Sequence, residues 1–280
     1  AAAPLPRERQ ASLLDDTSAV AGSSPGGAAL TPLSADAAAA AAAAPQVPPP
    51  ELRWHPLLDF TNGNGLGAEI LFSRQRSLHV GGEHAIVLRL RLRNSSAQPF
   101  ASISLAKAQL SGGQTIGPFA PVSNLPAGAA AEVHLHVDFA GSRQPVRFHL
   151  ATERGSFPVE VRPTQGELLV PAPMDGAAFD AARARLGGMH LSTFLLPPRP
   201  AAETVTALAT RVLRCMHASV VPPLAADAPL RFAGAAIADG RPALLVLERH
   251  DDGLRASVHA EDAMGGPILL DELKAELGVA

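Results

Sequence analysis

The sequence predicts a mainly β protein: a β-sandwich followed by a smaller α+β domain, with an unfolded arm in front of both. Three observations carry this. Residues 1–50 are dominated by Ala, Pro, Ser and Gly and close on Pro48-Pro49-Pro50. Beyond Trp54, apolar and polar residues alternate in short runs separated by turn residues. Beyond Pro163, helical spacings appear among the strands. The expected divisions are a disordered arm over 1–50, a sandwich over 51–163 and an α+β domain over 164–280. A length of 280 residues suits more than one ordinary domain.

The arm has too little apolar surface to offset the chain entropy lost on folding. Its alanine run, Ala37 to Ala44, is the longest uninterrupted apolar stretch and far below the ~20 residues that span a bilayer. An isolated helix that short is marginal in water. No transmembrane segment is expected. The sequence opens Ala1-Ala2-Ala3-Pro4 without an initiator Met and reads as part of a longer chain. Arg7, Glu8, Arg9 and Asp15-Asp16 break up any apolar core a signal peptide would need.

In the sandwich, Ile86, Leu88, Leu90 and Leu92 alternate with Val87, Arg89, Arg91 and Arg93. Val133, Leu135, Val137 and Phe139 alternate with His134, His136 and Asp138; Val146, Phe148 and Leu150 follow, then Phe157, Val159 and Val161. Period-2 patterning gives strands with one buried and one wet face. Asn94-Ser95-Ser96, Gly112-Gly113, Pro126-Ala127-Gly128, Gly141-Ser142 and Glu153-Arg154-Gly155 supply turns. Repeated strand and turn over this length predicts an immunoglobulin-like sandwich.

After Pro163, Gly166 to Val170 reads as a short strand ended by Pro171. Asp175 is placed to cap a helix carrying Phe179, Ala182 and Leu186 and stopped by Gly187-Gly188. Ala201 to Met216 fits a helix with Val205, Leu208, Val212 and Leu213 on one face, and fits a strand as well. Ala243–Glu248 and Leu254–Ala260 read as strands. The last element is an amphipathic helix with Leu269, Leu270, Leu273 and Leu277 inside and Asp271, Glu272 and Lys274 outside.

A formal net charge of −3 argues against nucleic acid as the main ligand, since phosphate binding draws on a basic surplus. Cys215 is the only cysteine, so no intrachain disulfide can form and the chain suits a reducing compartment. Lying in Val212-Leu213-Arg214-Cys215-Met216, it reads as a small core residue. Gly63-Asn64-Gly65-Leu66-Gly67 has the look of a phosphate loop, but a strand-like Glu69-Ile70-Leu71-Phe72 follows where a helix would be needed, so it reads as a turn. His134 and His136 share a strand face, with His149 expected on a neighbouring strand; Glu132 and Asp138 on the same face make it a solvated surface and not a metal centre. Arg89, Arg91 and Arg93 form a basic stripe of the same solvated kind. No nucleophile elbow, Walker loop, paired helical histidines or catalytic cysteine setting is present. No enzyme activity, cofactor or metal is expected.

The most suggestive short motif is Ser12-Leu13-Leu14-Asp15-Asp16. Leu13 and Leu14 could fill an apolar groove while Asp15 and Asp16 meet basic residues. Ser12, with Arg9 before it and Asp15 after it, is a candidate phosphorylation site.

Gly65-Leu66, Phe72-Ser73-Arg74-Gln75 and Asn94-Ser95-Ser96 resemble the opening of the sandwich in the C-terminal region of the beta subunits of adaptor protein complex 3. Pro163, Gly166-Glu167-Leu168-Leu169-Val170-Pro171, the Met174–Phe179 spacing and Gly188-Met189 are similar to the start of the last domain. Arg231-Phe232-Ala233-Gly234 and Gly266-Pro267-Ile268-Leu269-Leu270-Asp271-Glu272-Leu273 are similar to its end. The resemblance implies a hinge followed by an ear, made of a sandwich and a platform, on a large subunit of a heterotetrameric adaptor complex. It implies as partners the other subunits and accessory trafficking proteins at the ear, with no nucleic acid and only indirect membrane contact. The implied location is the cytosolic face of Golgi and endosomal membranes and coated vesicles bound for lysosomes and related organelles. The family hinge carries a clathrin box, Leu-Leu-acid-apolar-acid. Leu13-Leu14-Asp15 match it, but Asp16 takes the apolar fourth position, which argues against clathrin binding. Leu57-Leu58-Asp59-Phe60 fits the box better, yet it falls on the family sandwich's first strand and reads as structure. Where family members have cysteines, Ala140 and Ala151 stand here. The alternative from another class is a ligand-binding sandwich module of a cell-surface or secreted protein, against which the single cysteine counts.

Overall fold

The computed structural model describes residues 47–77, 84–196, 203–250 and 252–278. Alternation at 86–92 produces what the pleat requires. Strand β3 (Ile86–Asn94) lies between β2 (Leu66–Arg76) and β7 (Ala130–Asp138), and β1 (His55–Leu58) and β5 (Thr115–Gly117) complete one antiparallel sheet in the order β1-β2-β3-β7-β5. Leu88 pairs with Leu135 and Leu90 with Val133 on the inner side, while Arg89 pairs with His134 and Arg91 with Glu132 on the outer. A second sheet runs β6 (Val122–Leu125), β4 (Phe100–Gln109), β8 (Val146–Thr152), β9 (Gly155–Val161). Phe100, Ile103, Phe148, Leu150, Phe157 and Val159 from this sheet share one buried cluster with Leu66, Ile70, Leu88, Leu90 and Leu135 from the first. Burying such side chains, at roughly 1.5–3 kcal/mol each, is what holds two sheets face to face.

The third sheet runs β10 (Leu169–Pro171), β13 (Leu230–Ala236), β14 (Pro242–His250), β15 (Gly253–Ala260), β11 (Leu191–Leu196), with β12 (Ser219–Val221) also paired to β13. Both of its faces are used, so β14 is buried from Ala243 to Leu247 instead of alternating. Leu244 and Val246 meet Phe179, Ala182 and Leu186 of helix α1 (Gly176–Leu186). Leu245, Leu247, Phe232 and Val258 meet Leu208, Ala209 and Val212 of α2 (Val205–Cys215) and Leu269, Leu270 and Leu273 of α3 (Gly265–Glu276). Asp175 caps α1 as expected, its side chain accepting from the Ala178 amide at 2.8 Å, and Gly187 ends it in the left-handed region at φ 63°. Residues 205–215 take the helical alternative, because Thr204 accepts from the Ala207 amide and the apolar spacing finds a face to cover.

Four readings of the sequence differ from the structure. Gly166–Leu168 is a 3-10 turn, and the strand is Leu169–Pro171 with Pro171 inside it. The cause is distant in sequence: the Glu272 carboxylate accepts from the Gln165 and Gly166 amides at 2.7 and 3.1 Å, as a capping side chain would. Glu272 is therefore turned inward, its side chain only 15% exposed. His149 lies on β8 of the second sheet, away from His134 and His136 on β7, and bonds the Ser156 hydroxyl at 2.9 Å. Lastly, β4, β11, β12 and β13 lie outside the strands that alternation picks out, since their apolar runs carry no clean period.

Candidate interaction surfaces

Residues 12–16, the motif singled out from the sequence, lie outside the described residues. The most constrained polar site among the described residues sits where the first and third sheets approach. Register in the β2–β3 pair slips between Phe72 and Gln75, leaving Ser73 and Arg74 as a bulge, with Arg74 at φ 59°. A non-glycine residue held there costs about 1–3 kcal/mol, so the surroundings must over-determine it. They do. The Arg74 guanidinium grips Glu167 by Nε at 3.1 Å to both carboxylate oxygens and by Nη2 at 2.7 Å. It also donates to the carbonyls of Leu213 and Arg214, in the last turn of α2. A cation at that end meets unpaired carbonyls and the negative end of the helix dipole. The side chains of Arg74 and Glu167 are 8% and 12% exposed. Burial pushes the Glu167 carboxyl above its ordinary value, against the pull of Arg74.

The Gly166–Leu169 segment explains why glycine precedes that glutamate. A Cβ on Gly166 would stand 1.8 Å from the Cys215 carbonyl oxygen. The amide of His217 donates to the Gly166 carbonyl at 3.1 Å, and the His217 ring lies against the Leu169 carbonyl at 3.1 Å. Burial and the nearby Arg74 hold His217 down at about 4. Leu168 packs in the sandwich cluster and its successor Leu169 in the cluster under α2 and α3. Four consecutive residues thus tie a helix end, an ion pair and two cores together.

A cleft of about 310 Å³ opens beside this junction, walled by Leu52, Phe72, Cys215 and Ala275 and by the acids Glu167, Glu272 and Glu276. Its carboxylates are answered: Glu276 pairs with Arg214 at 2.8 Å and Arg53 at 3.0 Å, and Arg143 lies 3.6 Å from Glu272. Cys215 is partly buried, and burial beside Glu272 and Glu276 raises its thiol, the opposite of what a nucleophile needs.

The stripe of Arg89, Arg91 and Arg93, the first two half-buried and the third exposed, is not a bare basic surface. Arg89 pairs with Glu132, Arg91 lies 3.6 Å from Glu69, and the Trp54 ring covers Arg91 at 3.9 Å and Arg89 at 5.4 Å. Arg89 holds the Glu132 carboxyl below its ordinary value. His134 faces solvent, and His136 bonds the Ser77 hydroxyl at 2.8 Å. Among the described residues no three His, Cys, Asp or Glu side chains gather as metal ligands would, and no helix is long and apolar enough to cross a membrane. Gly63 to Leu66 form a turn, with the Gly63 amide on the Asp59 carbonyl and the Gly65 amide on Phe60, and strand β2 follows. Leu57 and Leu58 lie in β1 and pack on the sandwich core.

Sequence reasoning does not single out the Arg74–Glu167 pair or Glu272 as a site. Both partners of the pair nevertheless stand in stretches, Phe72–Gln75 and Gly166–Pro171, that carry the family resemblance. Comparison with known proteins agrees with that resemblance. The sequence model for the C-terminal region of the clathrin-adaptor complex-3 beta-1 subunit matches residues 8–144, and that for the C-terminal domain of AP-3 complex subunit beta-1 matches residues 166–277. The AP-3 complex subunit beta-1 of Canis lupus familiaris is 27% identical over 227 residues, covering 81% of this chain and 20% of that one. The Homo sapiens subunit beta-1 is 27% identical over 224 residues, 80% of this chain and 20% of its own. The AP-3 complex subunit beta of Dictyostelium discoideum is 31% identical over 85 residues, 30% of this chain and 8% of its own. The chain spans about a fifth of the length of the mammalian relatives it matches. With two models from the C-terminal region of one subunit matched in chain order, this chain belongs to the AP-3 beta-subunit family and corresponds to its C-terminal part.

Proposed function

We propose that this chain is the hinge and ear of a vesicle-coat adaptor subunit, and that it acts by binding other proteins and not by catalysis. The observation that carries the reading is the order of the two family matches, 8–144 and then 166–277, over a chain in which the buried Arg74–Glu167 pair and the Arg214–Glu276 pair are structural. On this reading its partners are the other subunits of a heterotetrameric complex and accessory trafficking proteins. It needs no cofactor or metal and binds no nucleic acid. Its membrane contact is indirect, on the cytosolic face of Golgi and endosomal membranes, in sorting toward lysosomes and lysosome-related organelles. The divisions follow as a hinge over 1–50, a sandwich over 51–163 and a platform over 164–280. Leu13, Leu14, Asp15 and Asp16 form a weakened clathrin-box segment in the hinge and Ser12 a phosphorylation site; the first family match takes these residues in. Replacing the matching part of the Homo sapiens subunit with this chain, in cells lacking that subunit, tests the reading. Restored sorting of lysosomal membrane cargo supports it. A chimaera that assembles at normal abundance yet leaves sorting at the level of the deficient cells overturns it.

A further inference from the structure

Every sheet has two edges, and an edge is a template for another chain unless it is short, charged or interrupted by proline. Five of the six edges here are guarded. Strand β1 has four residues and Pro56, β5 has three residues, β6 has four, β10 has three and ends on Pro171, and β9 carries Pro158 and Glu160. The sixth is not. Strand β11 is Leu191-Ser192-Thr193-Phe194-Leu195-Leu196, six residues with no proline and no charge, paired only with β15 among the described residues.

Its two faces differ. Phe194 is turned toward α3, where Lys274 sits 3.9 Å over its ring, and Ser192 lies against Gly266. On the other face Leu191 and Leu195 are 41% and 43% exposed, next to Met189 at 96%. Helix α1 covers Leu244 and Val246 of β14 on that face and also packs on β15. The apolar strip has a cationic border. Arg255 stands opposite Leu195 in the β15 register, and Arg183 and Arg185 occupy the last turn of α1. Among the described residues none of these three arginines has a carboxylate partner, although Glu248 is Arg255's neighbour across β14. His259, opposite Leu191, is 6% exposed, and its Nδ1 has no hydrogen-bond partner among the described residues. An open edge, alternate leucines and unmatched positive charge are the parts of a strand-addition site.

We infer that β11 is a docking strand for an extended segment of a partner protein, with apolar side chains at alternate positions and acidic residues flanking them. The segment's backbone pairs along the β11 edge, its apolar side chains cover Leu191 and Leu195, and its acids meet Arg183, Arg185 and Arg255. A second copy of this chain is the poorer occupant, because a two-fold pairing brings the same arginines from both copies to one seam. The inference rests on the protein-binding role proposed above and supplies its surface.

The test uses the 280-residue chain and a synthetic peptide in which Val and Leu alternate with Ser and Thr between Asp-Glu pairs. We expect saturable binding that slows amide exchange within residues 191–196. The double variant Leu191→Lys, Leu195→Lys, both at exposed positions, should keep the melting temperature and weaken binding about tenfold or more. Flanking the peptide with Lys-Arg, or N-methylating alternate amides, should each cost about tenfold as well. Unchanged exchange at β11 under saturation, or indifference to N-methylation, would overturn the inference. So would sedimentation showing a dimer that the double Lys variant dissolves and the peptide does not. The titration reads the strand alone, so its failure leaves the adaptor reading standing, and a failed chimaera leaves the strand result standing.

Discussion

Arg74 reaches Glu167, 93 residues further along the chain, with Nε and Nη2, and reaches the end of helix α2 with Nη1 on the Leu213 carbonyl and Nη2 on the Arg214 carbonyl. One guanidinium therefore satisfies a buried carboxylate and two helix-terminal carbonyls at once. Because both charges are enclosed, removing one partner strands the other. Glu167→Gln and Arg74→Met are each expected to cost about 3–5 kcal/mol in urea unfolding, with the double variant less than additive. Additive losses would mean that the two side chains act separately.

Gly166 tests the same junction through the backbone. With the Cys215 carbonyl 1.8 Å from the site of its missing Cβ, even Ala requires the turn or the helix end to move. Gly166→Ala is expected to cost about 3 kcal/mol or more, while Gly188→Ala, whose Cβ meets nothing within 4 Å, changes stability little. The melting temperatures of the two variants make the comparison.

His217 makes stability depend on acid. Below the ordinary histidine value near 6.5, the unfolded chain binds a proton that folded His217 refuses until about 4. Stability is thus expected to fall as pH drops through this window. Each pKa unit is worth about 1.4 kcal/mol, and partial exposure leaves roughly 1–2 kcal/mol of the total. Unfolding curves at several pH values between these limits should show a shallower decline for His217→Gln than for the parent chain.

On the reading proposed for residues 12–16, the fourth position of the box should decide affinity for clathrin. An extended peptide places Asp16 against an apolar wall, at a cost of roughly 1–3 kcal/mol. A peptide of residues 8–20 is expected to bind the clathrin terminal domain weakly, and Asp16→Leu to tighten it about tenfold. Titration of both peptides decides it; tight binding by the unchanged peptide would remove the argument.

Val47, the first of the described residues, packs against the cluster beneath α2 and α3. A chain beginning at residue 47 is expected to melt with the 280-residue chain, whereas one beginning at 55 also loses the Arg53–Glu276 pair and the Trp54 cover and melts lower. Calorimetry on the three lengths measures this.

What the sequence discloses depends on how local the cause is. The strands at 86–92 and 146–161 are legible because one buried face forces a period of two on the residues themselves. Helix α1 is legible from Asp175 and Gly187. The turn at 166–168 is not, because the group that shapes it, Glu272, arrives from the last helix. The arginine stripe is visible, but its neutralisation is not: Glu69, Glu132 and Trp54 are brought by other segments. Strand β11 escapes notice because Leu191-Ser192-Thr193-Phe194-Leu195-Leu196 is apolar on both faces, and so does its open edge. Arg74 carries no mark of its role, since nothing in Phe72-Ser73-Arg74-Gln75 announces a bulge.

The Trp54 ring over Arg89 and Arg91 has an optical consequence. Trp54 is the only tryptophan, and the sequence has no tyrosine. All emission excited at the red edge of protein absorbance therefore comes from one indole, seated on a guanidinium at the outer face of the sandwich. The chain carries its own single-site fluorophore, which reports the seating of Trp54 on the β3 arginines.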